Sequence, residues 1–179
     1  MDQKALFLDR DGVINVDYGY VYKINDFKFY NGIFRLASKA VNKGYKLIVV
    51  TNQAGIARGY YTESDFLKLS DWMCDEFQKN GSTISKVYFA PTHPTEGLGK
   101  YKVPDYRRKP NPGMILEAAC EFKLDLSDSI LIGDKQTDIG AGLSAGVGCN
   151  ILLGNSSEIA VSNNNVRVVP SLEQAEIYI

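Results

Sequence analysis

Short apolar runs alternate along the chain with longer stretches of helical pattern. Ala5-Leu6-Phe7-Leu8, Leu47-Ile48-Val49-Val50 and Ile130-Leu131-Ile132 are the clearest runs, and each gives way at once to Gly or polar residues. This alternation predicts successive strand–helix units, an α/β fold with a Rossmann-like, mostly parallel sheet and helices on both faces. Strands are expected near Lys4–Leu8, Lys46–Thr51, Lys86–Ala90, Ser129–Gly133, Cys149–Leu153 and Val166–Val169. Helices are expected near Ile33–Asn42, Glu63–Asn80, Gly113–Phe122 and Asp138–Ala145, with a last one from Leu172 onward.

Capping chemistry marks several boundaries. Thr62-Glu-Ser-Asp65 reads as a capping box, Ser171-Leu-Glu-Gln174 as a second, and Asn111-Pro112 as an N-cap followed by proline at the first helical position. Gly44 and Gly81 stand where a left-handed residue closes a helix. Residues 15–31 and 91–112 lack periodicity and read as loops at one end of the sheet. Ligands of open α/β sheets bind beyond the carboxyl ends of the strands, so those loops are candidates to border a site.

Composition narrows the chemistry. With 179 residues, 45% of them apolar, the chain reads as one globular domain spanning 1–179, and disorder is excluded. Twenty Lys and Arg against 21 Asp and Glu leave a net charge of −1, which argues against nucleic-acid or membrane partners. No apolar run approaches the ~20 residues of a membrane span, and the run after Lys4 is too short for a signal-peptide core. A cytoplasmic monomer acting on a small molecule is the expectation. The cysteines Cys74, Cys120 and Cys149 lack an arginine six positions on (Asn80, Leu126 and Asn155), which excludes a cysteine-dependent phosphatase. His93 is the single histidine, so two-histidine zinc sites are excluded as well. Catalysis must rest on carboxylates, lysine and hydroxyls.

Three strand ends and the approach to one helix supply such groups. The first strand delivers Asp9-Arg10-Asp11-Gly12, with both carboxylates on one face of an extended segment. The second delivers Thr51-Asn52-Gln53, a hydroxyl and amide donors suited to a phosphoryl oxygen, and the fourth delivers Gly133-Asp134-Lys135 with Asp138 one turn on. Arg107-Arg108-Lys109 places cations before a helix N-terminus, where an anion is favoured. A phosphate monoester dianion repels an attacking carboxylate, so a divalent cation and fixed cations must offset its charge. Asp9 and Asp134, with a backbone carbonyl near Asp11, form an oxygen-only set that suits Mg²⁺.

Asp9-x-Asp11-Gly, Thr51, Lys109 and Gly133-Asp134-x-x-x-Asp138, in that chain order, resemble the four motifs of the haloacid dehalogenase-like phosphatases. Closer still, DRDGVINVDYGYVY (Asp9–Tyr22), TNQAGIARG (Thr51–Gly59), RKPNPGM (Arg108–Met114) and GDK (Gly133–Lys135) resemble the bacterial D-glycero-D-manno-heptose 1,7-bisphosphate phosphatases. The resemblance implies a capless, Mg²⁺-dependent phosphatase of nucleotide-activated heptose biosynthesis, removing the C7 phosphate through an aspartyl-phosphate. It implies Asp9 as nucleophile, Asp11 as general acid/base, Thr51 and Lys109 as phosphoryl-stabilising groups, and Asp9, Asp11 and Asp134 around the metal. Substrate contacts are expected from Asp17, Tyr18, Gly19, Tyr20, Asn52, Gln53, Ala54, Arg58, Arg108 and Lys135.

Many members of that family carry a structural zinc held by Cys-x-His and Cys-x-Cys pairs. The matching positions here are Ala90 and Thr92, then Asp105 and Arg107, so no zinc is expected. Rival readings are a histidinol-phosphate phosphatase or polynucleotide 3′-phosphatase sharing the four motifs, and a phospho-receiver domain. The Asp17-Tyr-Gly-Tyr20 and Gly55-Ile-Ala-Arg-Gly59 stretches argue against the first two, and the Asp-x-Asp pair argues against a receiver. Gly140-Ala-Gly-Leu-Ser-Ala145 matches a dinucleotide-binding pattern but does not directly follow a strand, and close helix packing explains it better.

Overall fold

The computed structural model describes residues 3–154 and 164–179. Among them six strands form one sheet: β1 (Lys4–Leu8), β2 (Tyr45–Asn52), β3 (Ile84–Ala90), β4 (Ile130–Gly133), β5 (Cys149–Leu153) and β6 (Val166–Val169). Their order is β3-β2-β1-β4-β5-β6 and every pairing is parallel. The helices are α1 (Ile33–Asn42), α2 (Ala54–Ala57), α3 (Glu63–Lys79), α4 (Gly113–Phe122), α5 (Gln136–Ala145) and α6 (Leu172–Ala175).

The side-chain period of two along β1 splits the core into two layers. Leu6 and Leu8 pack with Ile33 and Leu36 of α1 and Met73 and Phe77 of α3. Ala5 and Phe7 point the other way, onto Met114 and Ile115 of α4 and Ile139 of α5. Each such leucine or phenylalanine, fully withdrawn from water, contributes about 1.5–3 kcal/mol. Because both faces are covered, β1 reads as a continuous apolar run rather than an alternating one. Among the described residues no helix is long and apolar enough to cross a membrane.

Most boundaries fall where local chemistry puts them. The Thr62 hydroxyl accepts the Asp65 N–H while the Asp65 carboxylate accepts the Thr62 N–H, a complete capping box for α3. Ser171 Oγ accepts the Gln174 N–H at the start of α6. Gly44 and Gly81 both have φ of 82°, the left-handed closure expected of them. Asn111 departs from expectation: its side chain donates to the Asp105 carbonyl at 3.3 Å, and α4 begins at Gly113 without a side-chain cap. The short α2 is a single turn, too brief to leave a periodic signature. In α5, a Cβ on Gly142 would lie 1.9 Å from Asn150 Oδ1, so that glycine serves helix–sheet packing.

The winding direction reverses beside β1, since β2 lies on one side of it and β4 on the other. Parallel neighbours diverge in their onward connections there, and a crevice opens beyond their carboxyl ends. Asp9 leaves β1 and Asp134 leaves β4 at that crevice, with Thr51 near the end of β2.

Candidate active site

Lys109 is the hub. It is 3% exposed, and its Nζ lies 2.9 Å from Asp9 Oδ1, 2.7 Å from Asp138 Oδ1 and 2.7 Å from the Val50 carbonyl, so all three ammonium protons are engaged. Its main chain is clamped by Asn52, whose amide accepts the Lys109 N–H at 3.0 Å and donates to the Lys109 carbonyl at 2.9 Å. Burial alone would lower the Lys109 pKa, but the charges of Asp9 and Asp138 outweigh it and raise it.

Asp9, Asp134 and Asp138 each place a carboxylate oxygen within 4.8 Å of the others. Two glycines permit this crowding. A Cβ on Gly12, whose φ is +92°, would lie 2.2 Å from Asp134 Oδ2, and one on Gly133 would lie 2.2 Å from Asp138 Cβ. The three acids divide into two kinds. Asp138 is committed to the protein: it pairs with Lys109 and accepts the Lys135 N–H at 2.9 Å, starting α5 two residues earlier than the sequence suggested. Among the described residues, Asp134 Oδ1 is buried without a partner, with Lys135 at 3.6 Å from Oδ2. Burial first, and then the Asp9 charge, push the Asp134 pKa up to about 7. An all-oxygen donor set with an unpartnered buried oxygen fits a hard divalent cation, which would replace the missing positive charge.

A stability consequence follows from that crowding. The folded-state pKa of Asp134 lies above its ordinary value of 3.8, so the fold holds a proton that the unfolded chain releases. The contribution of Asp134 to metal-free stability therefore falls as pH rises from about 4 to about 7. Asp134→Asn removes the penalised charge. In chelator, at pH 8, this variant should melt roughly 3–6 °C above the unsubstituted protein, with the gap closing toward pH 4. A lower melting temperature for the variant at pH 8 would refute the electrostatic account.

The Asp11 carboxylate lies apart from this cluster. It receives both of its close Arg10 contacts from Nη2 at 2.8 Å, with Asn15 Nδ2 at 3.0 Å and Gln53 Nε2 at 3.2 Å. Arg10 is 1% exposed and also donates to the Val21 carbonyl, with its guanidinium over the Phe66 ring. Gln53 additionally donates to Thr51 Oγ1 at 2.9 Å and accepts from the Tyr61 hydroxyl at 2.5 Å. That acceptance orients the amide, so its NH₂ faces Thr51 and Asp11. Gly55 makes room for Tyr61: a Cβ there would meet the Tyr61 ring at 2.2 Å.

These groups border a cavity of about 470 Å³. Asp9, Asp11, Thr51 and Lys109 all line it, as do Asp17, Gly19, Tyr20, Asn52, Gln53, Ala54, Arg108 and Lys135. Asp134 lines the adjoining cavity together with Gly12 and Asp17. Two expected substrate residues lie outside the first cavity's lining. Arg58 is drawn into an ion pair with Glu96. Tyr18 is 63% exposed because the Gly19 N–H bonds to Asp17 Oδ1 and the turn carries the intervening ring outward. The side-chain amides of Asn52 and Gln53, read from the sequence as phosphoryl donors, are instead committed to Lys109, Thr51 and Asp11. Sequence reasoning passed over Arg10 and Tyr61. Asp138 was visible in the Gly-Asp-x-x-x-Asp spacing, but without its role as partner of Lys109.

Residues 106–175 match a family model described as HAD-hydrolase-like. Fold and strand-end chemistry together thus define a hydrolase of the haloacid dehalogenase-like phosphatase class. The chain is 60% identical over 153 residues, 86% of this chain and 81% of the relative, to D-glycero-alpha-D-manno-heptose-1,7-bisphosphate 7-phosphatase from Burkholderia mallei. Over 150 residues, 84% of this chain and 81% of the relative, it is 45% identical to D-glycero-beta-D-manno-heptose-1,7-bisphosphate 7-phosphatase from Haemophilus influenzae. It belongs to the D-glycero-D-manno-heptose-1,7-bisphosphate 7-phosphatase family. The crystal structure of D,D-heptose 1,7-bisphosphate phosphatase from B. bronchiseptica, complexed with magnesium and phosphate, matches with a TM-score of 0.84 at 25% identity, covering 98% of this chain and 97% of that chain.

Proposed function

We propose that the chain hydrolyses the C7 phosphate of D-glycero-D-manno-heptose 1,7-bisphosphate through an aspartyl-phosphate on Asp9. The observation that carries this reading is the buried Lys109 bridging Asp9 and Asp138 at the cavity wall, beside an Asp134 oxygen with no partner among the described residues. Lys109 and the Arg10 N–H both hold Asp9 Oδ1, so Oδ2 is the oxygen for attack on phosphorus. As that bond forms, the bond from phosphorus to the C7 oxygen breaks, and Asp11 delivers a proton to the departing alkoxide. Asp11 then takes a proton from the water that attacks the aspartyl-phosphate, releasing inorganic phosphate and restoring Asp9. Thr51 Oγ1 accepts from Gln53, which leaves its hydroxyl proton to donate to a phosphoryl oxygen. When bound, Mg²⁺ held by the Asp9 and Asp134 carboxylates and the Asp11 main-chain carbonyl supplies positive charge that offsets the phosphate dianion.

The distal phosphate is assigned to Arg108, a half-buried cation on the same cavity. Burial and the nearby Arg58 charge lower its pKa, and an anion bound there would offset both. Arg108→Ala should raise KM for the heptose bisphosphate at least about tenfold while leaving p-nitrophenyl phosphate turnover within about twofold, since a desolvated charge-assisted contact is worth roughly 1.5–3 kcal/mol. Equal losses on both substrates would remove its specificity role. The more similar of the two relatives carries the alpha name, which supports the α anomer as the preferred substrate. Steady-state kinetics on α- and β-bisphosphates, beside histidinol phosphate, test the whole reading, and faster turnover of histidinol phosphate would overturn it.

A further inference from the structure

The excursion between β3 and α4 carries Arg108 and Lys109 at its returning end, so something must fix that limb against the outgoing one. Two side chains do so. Thr92 Oγ1, on a residue only 9% exposed, donates to Asp105 Oδ2 at 3.0 Å. Asp105 Oδ1 accepts the Arg107 N–H at 2.8 Å, and the Asp105 carbonyl accepts the Arg108 N–H at 3.1 Å. Arg108 Nη1 then donates back to the Thr92 carbonyl at 3.1 Å. The result is a closed ring: Thr92 to Asp105, through one turn of main chain to Arg108, and from its guanidinium to Thr92.

Thr92 and Asp105 occupy two of the four positions that hold zinc ligands in many family members. One carboxylate and one hydroxyl, with Ala90 and Arg107 at the other two positions, do not fit that ion, and the pair is bonded to itself. The bond is charge-assisted and largely shielded from water, the kind that holds geometry.

We infer that Thr92 and Asp105 are positioning residues for Arg108, a metal-free staple that aims its guanidinium at the distal phosphate of the substrate. The inference rests on the reading of Arg108 given above. Substrate affinity, not chemistry, is what the staple controls. Thr92→Val removes the hydroxyl at constant shape and Asp105→Ala removes the acceptor, whereas Thr92→Ser and Asp105→Asn can rebuild the ring.

The test is kinetic and spectroscopic. Thr92→Val and Asp105→Ala should raise KM for the heptose bisphosphate about three- to tenfold at nearly constant kcat, and leave p-nitrophenyl phosphate turnover within about twofold. Thr92→Ser and Asp105→Asn should stay within about twofold of the unsubstituted enzyme on both substrates. In the substrate-free protein, the Arg108 guanidinium NMR signals should show hindered rotation that Thr92→Val abolishes. A lowered melting temperature with unchanged KM and unchanged Arg108 signals would mark the pair as structural only and overturn the inference. Failure of Asp105→Asn to rescue Asp105→Ala would overturn it too. If the unsubstituted enzyme ignores the bisphosphate while the Arg108 signals respond as expected, the substrate assignment falls and the staple stands.

Discussion

Asp9→Asn should lower phosphate release by at least about 10³-fold while the protein stays folded, with a melting temperature within a few degrees of the unsubstituted chain. The amide is nearly the size of the carboxylate, and Lys109 keeps Asp138 and the Val50 carbonyl as partners. Removing one of three crowded carboxylates also relieves a desolvation cost, since burial sets a raised pKa for Asp9, with the Lys109 charge opposing it and the Asp138 charge adding to it. Stability is thereby protected from the change that stops the chemistry. If Asp9 attacks phosphorus as proposed, the nucleophile is lost, because an amide cannot form the mixed anhydride at a useful rate. Hydrolysis of a phosphorothioate ester made chiral at phosphorus by oxygen isotopes, in isotopically labelled water, offers an independent check on the intact enzyme. Two in-line displacements through Asp9 retain configuration, whereas direct attack by water inverts it. Inversion, or an Asp9→Asn variant with most of its activity, would sink the assigned attacker.

Lys109→Ala should fail on both counts. Its loss leaves Asp9 and Asp138 facing each other in the interior without a counterion, where breaking a buried pair costs about 3–5 kcal/mol. For a domain of this size that corresponds to a melting temperature roughly 10 °C lower in chelator. Turnover should fall at least about 10²-fold, because the ammonium holds Asp9 in place and, on the proposed mechanism, offsets the charge that develops on the transferring group. The double variant Lys109→Met/Asp138→Asn separates the two effects. Neutralising Asp138 removes much of the stranded charge, so the double variant should recover several degrees of stability and none of the activity. Full stability in Lys109→Ala would mean that the triad contributes little to the fold, and recovery of activity in the double variant would remove Lys109 from the reaction.

The strands, the large helices, the three chemistry-bearing strand ends and the basic segment before α4 were legible because each is written in neighbouring residues. An apolar run ending in Asp9-Arg10-Asp11-Gly12 specifies a buried strand and an acidic exit within nine positions. The capping box at Thr62 and the left-handed glycines after α1 and α3 are equally local, and they fall where the spacing puts them. Asn111 misled because its amide found the Asp105 carbonyl, an equally local partner that capping rules do not rank.

What the chain alone determined is therefore the α/β class, the order of its elements and the residue types delivered to one sheet edge, since these follow from side-chain period and turn chemistry. The tertiary structure decided how those residues divide their work. Asn52 clamps Lys109 from 57 positions away, Gln53 is turned toward Asp11 by Tyr61, Arg10 reaches the Val21 carbonyl, and Glu96 takes Arg58 from the cavity lining. An amide or a guanidinium can satisfy many partners with similar energy, and only the packed arrangement of distant segments selects which of them it meets.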